Sequence, residues 1–219
     1  MLISAGTLFG VAKQAYSRAA AASPADREHV SNDPLVAIVF AAAAGEAFIN
    51  ELPDLASFPG PANFGPQPPE VASLVSLLGE AEDARASIHL KFLVAKLALS
   101  GHTYDRGSNP YQDFATLLEL RNSLVHFQSE RIDGREPEEV TVSSARILER
   151  LRAKSILVQT EDGGVAGLLY LVSTAAAARW ACNATAGMIG DLFESIPSSW
   201  LQRNVNEFYY RNHAFEPVE

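Results

Sequence analysis

Four side chains in this sequence have the types and spacing to do chemistry: Arg121, Asn122 and His126 within one segment, and Glu46 far upstream. An imidazole titrates near neutrality, so His126 can carry a proton in either direction. A guanidinium stays charged and grips oxyanions through two parallel N–H groups, which suits Arg121 to a negatively charged ligand. Asn122 and His126 are four residues apart, within mutual reach on a helix. Read alone, His126 would be an ordinary surface histidine, and His29, His89, His102 and His213 have no comparable setting.

The element that must position this group is residues 112–127, Q-D-F-A-T-L-L-E-L-R-N-S-L-V-H-F, with Asn109 as a helix cap and Pro110 in a first turn. On a helical wheel Phe114, Leu117, Leu118, Leu120, Leu124, Val125 and Phe127 cover roughly half the circumference. Arg121 falls in the middle of that arc, and a charge there needs a partner or a task. A second helix, expected from Leu35 to about Leu52 behind Pro34, is apolar nearly all round and marks an enclosed element. It carries Glu46, with Asn50 beside it, and its 41–45 segment is small enough for a neighbour to approach closely. Two helices each with one ion in an apolar sector imply that Glu46 pairs with Arg121. A plain salt bridge that fixes helix register is compatible with the same residues.

The remaining segments read as follows. A weak alanine-rich helix covers residues 6–22. Residues 53–69 hold six prolines and two glycines and predict a long loop. Helical periodicity returns over 70–78 and as one long helix over 80–100, stopped by Gly101. After Gln128 the chain turns polar, with strand-like pieces at 140–142 and 155–159 around a helix from about Ser144 to Arg152. A last long helix covers about 174–194 and ends before Pro197, and residues 200–215 form an aromatic, polar tail expected to pack on the body or on a second subunit.

The composition is that of a globular protein of 219 residues, expected as a single domain with its core over about 30–195, the proline-rich loop at 53–69 and the tail at 196–219. Cys182 is alone, which excludes an internal disulfide and makes a reducing cytoplasm the expected compartment. No Cys/His grouping has metal-site spacing, so neither metal nor cofactor is expected. No membrane segment is expected, because the run 165–178 is too short to span a bilayer. A net charge of −9 argues against a broad basic platform for nucleic acid. The exception is residues 121–154, where Arg121, Arg131, Arg135, Arg146, Arg150, Arg152 and Lys154 slightly outnumber the six acids. Contact with a polyanion should therefore be local to that region.

The central segment resembles the HEPN superfamily, whose signature is an arginine, an adjacent polar residue and a histidine after a short gap, here Arg121-Asn122-Ser123-Leu124-Val125-His126. The resemblance extends to Ala44-Gly45-Glu46-Ala47-Phe48-Ile49-Asn50 and covers about residues 30–195. It implies an all-α, up-and-down helical bundle that forms a homodimer with the two motif helices facing each other. It also implies a metal-independent endoribonuclease, often the toxin of a toxin–antitoxin or defence system, with RNA as substrate and an antitoxin protein as partner. Arg121, Asn122 and His126 would be catalytic and Glu46 would orient Arg121. Some members instead serve as non-catalytic nucleotide-binding, RNA-binding or protein-interaction modules. Arg121 and His126 are five apart, about 140° around a helix, so a two-fold pair of helices would converge them better than one copy.

Overall fold

A computed structural model describes residues 4–22, 32–58, 66–125, 142–158, 167–213 and 215–219. Among the described residues the chain is all-α, without strands: α1 (Ala5–Ala21), α2 (Asp33–Ser57), α3 (Pro69–Asp83), α4 (Ile88–Ser100), α5 (Tyr111–Val125), α6 (Val142–Ala153), α7 (Leu168–Leu171), α8 (Ala175–Glu194) and α9 (Trp200–Val205), which runs on into a π-helical turn, Asn206–Arg211.

The centre is α2, packed by α1, α3, α5 and α8. Its length and composition would suffice to cross a membrane. Here the apolar surface is met by other helices, with Ile38, Ala41, Ala42, Ala44, Phe48, Ile49, Leu52 and Leu55 essentially inaccessible. The expected close approach is present at Gly45, where an added Cβ would lie 2.5 Å from a ring carbon of Phe114. On the neighbouring face the hydroxyl of Thr185 in α8 donates to the Ala41 carbonyl at 2.9 Å. Small side chains on α2 thus let both α5 and α8 come within touching distance of its backbone.

Several expectations from the sequence are corrected. The proline-rich loop does not begin at Pro53, because α2 continues through that residue to Ser57. Leu52, Leu55 and Ala56 are buried, so the last turns are held by packing. Two carbonyls left without helical partners are capped by side chains, Asn204 donating to Leu55 at 3.3 Å and Gln67 to Ala56 at 3.2 Å. The single helix expected over 80–100 is two helices. α3 ends in a Schellman closure, with the Ala86 N–H bonded to the Ala81 carbonyl at 2.8 Å and Arg85 left-handed at φ 52°. Ser87 then starts α4 by accepting from the Leu90 N–H. Gly101, at φ 74°, stops α4 as expected.

Of the strand-like pieces, Val142 opens α6, and residues 155–158 form a non-helical turn tied by Val158 N–H to the Leu171 carbonyl at 2.9 Å. Residues 140, 141 and 159 lie outside the described residues. The C-terminal tail packs on the body, one of the two placements expected for it. Leu201, Val205, Tyr209 and Phe215 are buried, and Phe215 stacks on Phe9 of α1 at 4.4 Å, with Phe48 and Tyr209 completing the aromatic cluster. The core therefore extends beyond 30–195 at both ends.

Gly45 and Gly79 provide a matched test of the α2–α5 approach. Gly45→Ala gains about 1 kcal/mol of helix propensity but overpacks against a buried ring at a cost of about 1–3 kcal/mol. Gly79 in α3 has open space where its Cβ would go. Denaturant titration should show a net loss of up to about 2 kcal/mol for Gly45→Ala and a gain of up to about 1 kcal/mol for Gly79→Ala.

Candidate functional site

α5 presents Arg121 because the rest of its inner face is fixed. Tyr111, Phe114, Leu117, Leu118 and Leu120 are all buried, and Phe92 of α4 meets Phe114 edge-on at 5.0 Å. With the helix held in this rotation, Arg121 emerges at the boundary of the core beside α2. Its Nη2 donates to Oε2 of Glu46 at 2.5 Å, so the pair inferred from the sequence is formed. Glu46 follows directly on Gly45, and the Phe114 ring seated there sets the distance between the two helices.

The side chains of this pair keep 23% (Arg121) and 40% (Glu46) of their surface accessible. A pair this exposed contributes about 0–1 kcal/mol, too little for stability alone to explain an ion in an apolar sector. The contact is also incomplete. Arg121 Nε is buried without a hydrogen-bond partner, and among the described residues Glu46 engages only Nη2. Glu46 therefore orients the guanidinium, and among the described residues Nη1 has no partner. Asn122 is exposed on the following residue. His126 lies outside the described residues, so Arg121, Asn122 and Glu46 are placed and the histidine is not.

One turn further along α2, Asn50 Oδ1 accepts from Lys91 Nζ at 2.7 Å, and that buried ammonium also pairs with Glu82. The next residue, Glu51, receives the Ser4 and Ala5 N–H groups at 2.7 and 3.2 Å and the Tyr209 hydroxyl at 2.5 Å, so it caps α1. Burial first, then this bond to Glu51 and its charge, push the Tyr209 hydroxyl far above its usual range and keep it neutral. Sequence reading missed the roles of Lys91 and Glu51. The available signal was the run Glu46, Asn50, Glu51 on a helix otherwise apolar.

A further cluster joins α4 to α8, where Lys96 Nζ meets Asp191 Oδ2 at 2.6 Å and Ser195 Oγ at 2.7 Å and lies 5.1 Å from the centre of the Tyr104 ring. These contacts tie the end of α8 to α4. Among the described residues no group of three His, Cys, Asp or Glu could hold a metal ion. Burial raises the Cys182 thiol to about 12, which makes it a core residue without thiolate character at neutral pH. Comparison with family models, curated proteins and solved structures finds no match to this chain.

Two measurements follow from these contacts. A double-mutant cycle on Glu46→Gln and Arg121→Gln, read by urea denaturation, should give a coupling of about 1 kcal/mol or less. The second concerns His89, which burial holds below its usual 6.5, with Arg106 adding to that shift and Glu119 opposing it. Below 6.5 the unfolded chain takes up this proton before the folded chain does, so stability falls as pH drops through that window. His89→Gln should flatten this part of the stability curve.

Proposed function

We propose that this chain is a HEPN-type, metal-independent endoribonuclease whose active cleft lies between the motif helices of a homodimer, acting as the toxin of a toxin–antitoxin or defence pair. The observation that carries the reading is the Arg121 guanidinium, oriented by Glu46 through Nη2 and without another partner among the described residues, next to an exposed asparagine. The all-α fold, with α5 and α8 packed on a central α2, supports the reading.

In the proposed reaction the RNA supplies its own nucleophile. His126 takes the proton from a 2′-hydroxyl, the 2′-oxygen bonds to the adjacent phosphorus, and the bond to the 5′-oxygen breaks. The departing oxygen is protonated by a second imidazole, which the two-fold pair supplies. Arg121 neutralises the phosphoryl oxygens as charge builds on them, and Asn122 orients the imidazole or donates to the phosphate. The products are a 2′,3′-cyclic phosphate and a 5′-hydroxyl.

A second reading, a non-catalytic HEPN module that binds RNA, nucleotide or protein, is favoured by the net charge of −9. The two readings separate on one assay. The nuclease should cleave RNA in EDTA and lose about 10²-fold or more of its activity in Arg121→Ala and in His126→Ala, each with an unchanged melting profile. Cleavage indifferent to both substitutions removes this site from the reaction. RNA binding without cleavage selects the module.

A further inference from the structure

α5 and α6 are laced together by two ion pairs with a definite register. Lys154 Nζ meets Asp113 Oδ1 at 2.5 Å and Arg150 Nη1 meets Glu119 Oε2 at 3.0 Å, so the two helices run antiparallel. Ile147 and Leu151 are buried on the inner side of α6 and hold that face toward the core. Lys154, Arg150 and Arg146 stand at successive intervals of four and form one stripe. The first two cations each face an α5 carboxylate.

Arg146 does not. One more turn of α6, about 6 Å along its axis, brings it level with the α5 turn that contains Arg121, Asn122 and Ser123. No acid occurs on α5 there. Arg146 is exposed and makes no hydrogen bond or ion pair among the described residues, and Glu149, three positions on, forms no ion pair with it. Among the described residues the stripe therefore ends in a guanidinium without a counter-ion, at the end of α5 that carries Arg121.

We propose that Arg146 is a second phosphate-contacting residue at the Arg121 end of α5, binding a further backbone phosphate of the single-stranded RNA that Arg121 holds. This rests on the RNA reading of the site and adds to it a substrate-positioning contact from α6. The contact explains how a chain of net charge −9 can hold a polyanion locally. Phosphate neutralisation is needed only along the α5–α6 edge, where two of three cations are already matched internally and the third remains available.

The test is a fluorescence-anisotropy titration of the full chain with a 2′-O-methylated single-stranded RNA, which cannot be cleaved through its 2′-oxygen, in EDTA across a NaCl series. One lost phosphate contact should reduce the slope of log affinity against log salt by about 0.7, which is roughly fivefold weaker binding near 0.1 M salt. Arg146→Ala should show that change, Arg146→Lys should retain the slope, and thermal melts should be unaltered because the side chain is exposed. Arg152→Ala is the control: Arg152 is exposed on the same helix about 240° around from Arg146 and should bind like the parent. A slope unchanged in Arg146→Ala but reduced in Arg121→Ala overturns the proposal and leaves the RNA reading standing. An equal loss in Arg152→Ala also overturns it, because the effect would then be one of net charge. If the unmodified chain shows no salt-dependent RNA binding, the RNA reading and this proposal both fail.

Discussion

The organisation of this protein depends on how one enclosed helix disposes of its polar groups. α2 is apolar over most of its surface, yet it carries Glu46, Asn50 and Glu51 within two turns, and each of them has a partner on another element. Each is answered by a different part of the chain: Glu46 by Arg121 of α5, Asn50 by Lys91 of α4, and Glu51 by the start of α1 together with Tyr209. Satisfying one helix therefore fixes the placement of most of the others. The alanine and glycine content of α2 makes this workable, because neighbouring helices come close enough for short polar contacts.

The three contacts differ in kind. Glu51 has both oxygens occupied, and Lys91 is buried with two acceptors. Both arrangements are closed. Glu46 with Arg121 remains partly exposed and engages the guanidinium at a single nitrogen. A structural ion pair gains by closing its remaining hydrogen-bond capacity, whereas a ligand-binding arginine needs orientation on one side and access on the other. The open contact is the one beside Asn122, and the stripe of cations on α6 runs out at the same level. Physical economy along α2 thus separates two closed nodes from one that stays partly exposed.

Much of this was legible from residue types alone, for a reason that also explains what was not. An ion in an apolar helical sector must find a counter-ion, so Glu46 and Arg121 could be paired from the sequence, and Gly101 and Pro197 marked helix ends through local chemistry. Arg85 hid a helix end, because the left-handed position of a Schellman closure gives its usual signal only when glycine occupies it. Pro53 gave the opposite error. It suggested a break where burial of Leu52 and Leu55 and two side-chain caps keep the helix intact. Phe215 stacking on Phe9, at nearly the full length of the chain, is set by tertiary packing that no local pattern reports.

The central claim is that RNA is cleaved through its own 2′-oxygen at the arginine held by Glu46, and the most direct measurement is end-group analysis of RNA fragments produced by the purified chain. The account predicts 5′-hydroxyl and 2′,3′-cyclic phosphate ends, with no cut at a position where the 2′-hydroxyl has been replaced by hydrogen. Fragments ending in 5′-phosphate and 3′-hydroxyl, or equal cleavage at the 2′-deoxy position, would contradict it.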